Sequence, residues 1–96
     1  MIDKRKAYEE KLAAQLEEWD AQLALFKAKA DKAKAEAKIE YYEITEALQL
    51  KHDKARTKLQ ELKAAGDEAW EDLKAGAENA WIEVKTAFQR AASKFK

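Results

Sequence analysis

KAKADKAKAEAK, residues 27–38, is the stretch whose reading decides the fold. It is low in complexity, and only alanines occupy its apolar face. A chain reversal here would divide the first two thirds of the protein into two helices, whereas continuity would leave one helix of unusual length. Ala, Lys and Glu are strong helix formers, and neither Gly nor Pro interrupts them, so residues 27–38 are expected to stay helical.

The flanks support that expectation. Moving out in both directions, apolar or small residues recur at Tyr8, Leu12, Leu16, Trp19, Leu23, Phe26, Ala30, Ala33, Ala37, Tyr41, Ile44, Leu48, His52, Ala55, Leu59 and Leu62. Their mean spacing is about 3.6 residues, the period of a straight α-helix, so the stripe holds one face without the drift of a strict heptad. Asp3 is placed to cap the start of this helix. Gly66 is placed to end it, as a C′ residue in the left-handed conformation. A helix over residues 3–65 would be about 90 Å long at 1.5 Å per residue.

After a turn at 66–67 the pattern restarts. With Asp67 as N-cap, Glu68, Glu71 and Asp72 sit at the positive end of a second helix, residues 68–95, and Arg90, Lys94 and Lys96 at its negative end. Trp70, Leu73, Ala77, Trp81, Val84, Phe88, Ala91 and Phe95 form its stripe, flanked by Ala69, Gly76, Ala80 and Ala87. An apolar arc this wide suits a helix with two neighbours, and Gly76 with the alanines would permit close approach.

A half-length helix folded back on the long one covers only its C-terminal half, leaving the stripe from Tyr8 to Ala37 open as an interaction surface. A second apolar set, Ala21, Leu25, Ala28, Ala35, Ile39, Tyr42 and Leu50, lies on nearly the opposite face and is centred near residue 35. Both features fit an all-α helical hairpin, one domain over residues 1–96, that assembles as an elongated antiparallel homodimer with three helices in cross-section. Its self-assembly interface would comprise Leu12, Leu16, Trp19, Leu23, Phe26, Ile39, Tyr42, Leu50, Trp70, Trp81 and Phe88. The alternative breaks the chain near residues 30–34 and gives a monomeric three-helix bundle, of which the dimer is a domain-swapped version.

Composition restricts the functions available. The 96 residues include 19 basic and 19 acidic side chains, so no net field draws the chain to nucleic acid or anionic lipid. Lysines of residues 27–38 and the basic residues of 51–63 alternate with acidic Glu17 to Asp20 and Glu40 to Glu46, a pattern suited to setting register in an antiparallel pair. The absence of cysteine removes disulfides and thiolate chemistry. No run approaches the ~20 apolar residues of a membrane span, and residues 1–12 lack the apolar core of a signal peptide, so a cytoplasmic protein is expected.

Catalytic and metal-binding patterns are equally sparse. His52 is the only histidine and has no second ligand at helical spacing, so it reads as structural. Ser93, the only serine, reads as a helix-surface residue rather than a nucleophile. The acidic clusters lack the loop geometry that wraps calcium. No catalytic residue, cofactor or metal is expected. Trp19, Trp70 and Trp81 fall on stripe positions and read as core, although Trp beside Lys also suits a helix lying in a membrane surface, which keeps a lipid-binding reading open.

Residues 69–96 carry an eleven-residue repeat, AWEDLKAGAEN, then AWIEVKTAFQR, then AASKFK. It loosely resembles the repeats of late-embryogenesis-abundant proteins and exchangeable apolipoproteins. With the Ala/Lys/Glu-rich first helix and the Gly66-Asp67 turn, it also resembles a family of small bacterial coiled-coil proteins, some of them associated with stress responses. The resemblance is most specific over residues 59–96; it implies a helical, non-enzymatic protein and supplies no functional residues. The expectation is therefore a non-enzymatic structural or interaction protein with unknown clients, and the alternative is an amphipathic protein of membrane surfaces.

Overall fold

Helix propensity is overruled in mid-chain by packing. The computed structural model describes residues 4–95, which form three helices of similar length, α1 (Lys4–Lys32), α2 (Ala35–Ala64) and α3 (Asp67–Lys94). The continuous helix expected over 3–65 is thus interrupted at Ala33 and Lys34, and its expected cap, Asp3, lies outside the described residues. In place of a hairpin with one 90 Å arm there is an up-down-up bundle of 53 × 21 × 18 Å.

The break needs no helix-breaking residue. The Ala33 amide closes a last turn on the Ala30 carbonyl at 3.2 Å. Lys34 then takes an extended conformation, φ −66° and ψ 151°, with no side-chain cap. Its carbonyl accepts the amides of Ala37 and Lys38, both at 2.9 Å, and starts α2. Magnitudes explain why the turn forms in a single chain. Burying Leu12, Leu16, Trp19, Leu23 and Phe26 is worth about 1.5–3 kcal/mol per side chain, on the order of 10 kcal/mol in all and less once residual burial in the unfolded chain is allowed for. Interrupting the helix gives up roughly four backbone hydrogen bonds at about 1 kcal/mol each. The stripe expected to lie open from Tyr8 onward is covered by the chain's own helices.

The three helix pairs differ in how they meet. The α1 and α2 backbones, and those of α2 and α3, approach closely across alanines such as Ala30, Ala55, Ala77 and Ala91, all buried. The parallel pair α1 and α3 meets instead through large rings, with Tyr8 on Trp70 (5.7 Å between ring centroids), Trp19 on Trp81 (5.9 Å) and Phe26 on Phe88 (6.2 Å). Trp19 also stacks on Phe88 and Phe26 on Phe95, with interplanar angles of 15° and 13°. These pairs keep one offset along two parallel helices, so the aromatic spacing sets their register.

The second connection also corrects the sequence reading. Gly66 has φ −71° and ψ 163°, extended rather than left-handed, and acts as the N-cap of α3. Its carbonyl accepts the Ala69 and Trp70 amides, and Asp67 is the first helical residue, not the cap. Gly76 does not serve close approach either, because a Cβ there would meet nothing within 4 Å.

Candidate functional site

Of the eleven residues expected to form a self-assembly interface, eight are brought together as the core of one chain. Leu12, Leu16, Trp19, Leu23, Phe26, Trp70, Trp81 and Phe88 are all buried. Ile39 and Leu50 are 69% and 62% exposed, and Tyr42 is 42% exposed. Positions 39 and 50 are eleven residues apart, about three turns, and so share the outward face of α2. The Tyr42 hydroxyl donates to Asp31 at 2.6 Å, which ties α2 to the end of α1 and raises the phenol pKa through that hydrogen bond.

His52 is the polar residue set deepest in the core, at 1% exposure. Its Nε2 lies 3.0 Å from the Leu16 carbonyl, which can only accept, so Nε2 carries the proton. Nδ1 and the Trp81 Nε1 find no partner among the described residues. The histidine therefore joins α2 to α1 across the core. The Ser93 hydroxyl donates to the Arg90 carbonyl at 2.7 Å, within its own exposed helical turn. Among the described residues no group of three or more His, Cys, Asp or Glu could hold a metal ion, and no helix is long and apolar enough to cross a membrane.

The feature that sequence reasoning missed is Arg5. From the first turn of α1 its guanidinium reaches the far end of α2 and donates to the carbonyls of Leu62 (3.1 Å), Lys63 (3.3 Å) and Ala65 (2.6 Å), groups a helix end leaves unsatisfied. The same side chain pairs with Glu9 and with Asp67, each at 3.0 Å. Glu9 also accepts the Trp70 indole N–H at 3.0 Å, and Arg5 lies 5.6 Å from that ring's centroid. The hydrogen bond to Glu9 is the main reason the Arg5 pKa is raised. Nothing local in KRKAYEE marks one of its cations for this task; only the fold brings α2's end to residue 5.

Two surfaces stand out. One is the outward face of α2 carrying Ile39, Tyr42 and Leu50. The other is a groove of about 250 Å³ between α2 and α3. It is lined by Ile44, Leu48, Ala87 and Ala91, with Ala47 at its exposed edge, and alanines replace the rings and leucines that fill other layers. Its rim holds three cations, Lys51, Arg90 and Lys94. Lys51 is paired with Glu83 at 2.9 Å, which lowers the Glu83 pKa, and Lys94 lies 3.7 Å from Glu40. Arg90 makes no ion pair with any described residue.

No known protein family, curated protein or solved structure matches this chain.

Proposed function

We propose that this is a non-enzymatic structural protein that acts through its helical surfaces and assembles by exchanging α1 between two copies. The observation that carries the reading is the connection at Ala33 and Lys34, two residues without glycine, proline or a side-chain cap, inside a run of strong helix formers. Local preference there favours helix while packing within one chain favours a turn, and a conflict of this kind makes a hinge.

Straightening the hinge joins α1 and α2 into a single long helix and swings α1 onto a partner's α2 and α3. The apolar burial that α1 gives up in its own chain is recovered in the partner, so concentration governs the balance. The crossing point of two such helices falls near residue 35, beside exposed Ile39 and Tyr42, which would gain cover there. A membrane-surface role, in contrast, requires Trp19, Trp70, Trp81, Phe88 and Phe95 to leave the positions in which all five are buried.

Ala35→Pro tests the exchange. Ala35 is the first residue of α2, where proline is well tolerated, and Lys34 already has the extended conformation a following proline demands. The same proline inside a continuous helix costs about 3 kcal/mol or more. Size-exclusion chromatography with light scattering should find wild-type mass rising with concentration from 11.0 kDa toward twice that value, while the variant stays at the single-chain mass with its thermal melt intact. A wild-type chain that stays at the single-chain mass at every concentration overturns the proposal.

A further inference from the structure

The α2–α3 groove has features that the assembly reading does not use. Its floor is aliphatic and contains small side chains, so it can take a chain of methylenes. It runs about two helical turns, from Ile44 to Lys51 on α2 and from Ala87 to Lys94 on α3, roughly 10 Å at 1.5 Å per residue. The cations along it are unequal. Lys51, at one end, is held by Glu83, and Lys94, at the other, has Glu40 within reach. Arg90, one turn before Lys94 on the same side of α3, has no acidic partner among the described residues and presents a planar fork of donors suited to a carboxylate. An apolar trough with one uncommitted guanidinium at its edge is complementary to a ligand that is apolar along its length and anionic at one end.

We propose that the groove binds a free single-chain anionic amphiphile, a fatty carboxylate, with its tail on Ile44, Leu48, Ala87 and Ala91 and its headgroup on Arg90. Lys94 adds a second positive charge when its distant contact with Glu40 gives way. The site is independent of the exchange of α1, because both of its walls lie beyond the hinge and stay together in either arrangement.

Laurate, added to the full chain below its micelle concentration and followed by amide NMR, tests the site. Shifts should saturate at one ligand per chain, be largest around Ile44, Ala47, Ala87 and Arg90, and leave the helical circular dichroism unchanged. Dodecyltrimethylammonium, which has the same tail and the opposite charge, should bind at least tenfold more weakly. Arg90→Glu should weaken laurate at least tenfold, and Ala87→Phe should abolish binding by filling the floor. Should Ala87→Phe fail to fold, Ala47→Phe at the exposed edge should weaken binding and so replaces it. The proposal is overturned by shifts that do not saturate, by equal binding of the cationic amphiphile, by unchanged affinity in Arg90→Glu, or by spread of the shifts into α1 with loss of the thermal melt, which is detergent unfolding. It is equally overturned by binding to anionic phosphatidylglycerol vesicles without binding of free laurate, or by the same shifts appearing on concentration of the protein alone, which would make the occupant a bilayer or a second copy.

Discussion

The two connections of the bundle are both two residues long, and they are built on opposite principles. Ala65 and Gly66 carry a glycine, and Arg5 clamps the carbonyls of Leu62 and Lys63 just before them and of Ala65 itself while pairing with Asp67 just after. Ala33 and Lys34 carry neither a breaker nor a side-chain cap. The second turn is held by groups at the turn. The first has one contact beside it, the Tyr42 hydroxyl on Asp31, and otherwise rests on the gain from folding α1 onto α2 and α3. Two turns of equal length can therefore differ in kind: one is a fixed corner, and the other depends mainly on remote packing.

Removing that packing should have the largest effect. Trp19 is 5% exposed, packs tilted against Trp81 and stacks on Phe88. Trp19→Ala is expected to cost about 3–5 kcal/mol in urea unfolding, the usual range for truncating a buried aromatic. The loss should register at the first connection, as faster amide exchange around residues 33–37, although that turn is far from the substitution along the chain. A cost below about 1 kcal/mol, the size of an ordinary substitution, or protection there unchanged relative to residues 65–70, would mean that local contacts such as Tyr42 on Asp31 suffice to hold the first turn.

Arg5→Met is the reciprocal test and should act on the other corner. The aliphatic stem is kept, so the change removes the guanidinium and leaves the Leu62, Lys63 and Ala65 carbonyls to water. Melting temperature should fall by less than for Trp19→Ala, with amide protection lost around residues 62–70 and retained around 33–37. Equal loss at both connections would contradict the division drawn between them.

This contrast also explains how far the sequence could be read. The stripe from Tyr8 to Leu62 was legible, because burial of one helical face imposes its period whether the helix is one piece or two. It identified Leu12, Leu16, Trp19, Leu23 and Phe26 as apolar contact residues while leaving open whose helices they contact. The place of the break was legible, since a break near residues 30–34 was the alternative reading and gives the three-helix bundle observed, but not that the break would win. The residues at 33–34 satisfy every local criterion for helix, and what overrides them is summed over distant side chains from Leu12 to Phe26 and their partners on the other helices. Thr45 is buried beside half-buried Ile44, a one-residue shift of the stripe that the periodicity did not anticipate. The role of Arg5 was invisible for a related reason, since the carbonyls it clamps sit about sixty residues further along the chain. In the groove, Ile44, Ala47, Ala87 and Arg90 are ordinary helix residues until α2 and α3 are set side by side.

Glycine separates the two kinds of position on a finer scale. Gly76 lies inside α3 with open space where a Cβ would stand, so it contributes only conformational freedom to the unfolded chain. Gly76→Ala is expected to raise stability by about 1 kcal/mol in urea unfolding, the difference in helix preference between the two residues. Any destabilisation would show that α3 needs the missing side chain for an approach from outside the chain, which bears directly on self-assembly.

The smallest expected effect is the most pointed, because it sets the sequence reading of the second corner against its structure. A Gly66 in the left-handed region would make Gly66→Ala costly by about 1–2 kcal/mol, since a Cβ clashes there. With φ −71° and nothing within 4 Å of the added carbon, alanine fits without strain and narrows the unfolded ensemble. The entropic gain of about 0.4–1 kcal/mol is opposed by the loss of a glycine N-cap, since alanine caps a helix less well than glycine. The expected outcome is therefore a change of less than about 0.5 kcal/mol in urea unfolding at unchanged slope, well short of the left-handed cost. The same small change should appear in the Arg5→Met background, because the guanidinium holds carbonyls at Leu62, Lys63 and Ala65. A larger loss in the double variant would mean that the clamp, not the backbone, sets the conformation of Gly66.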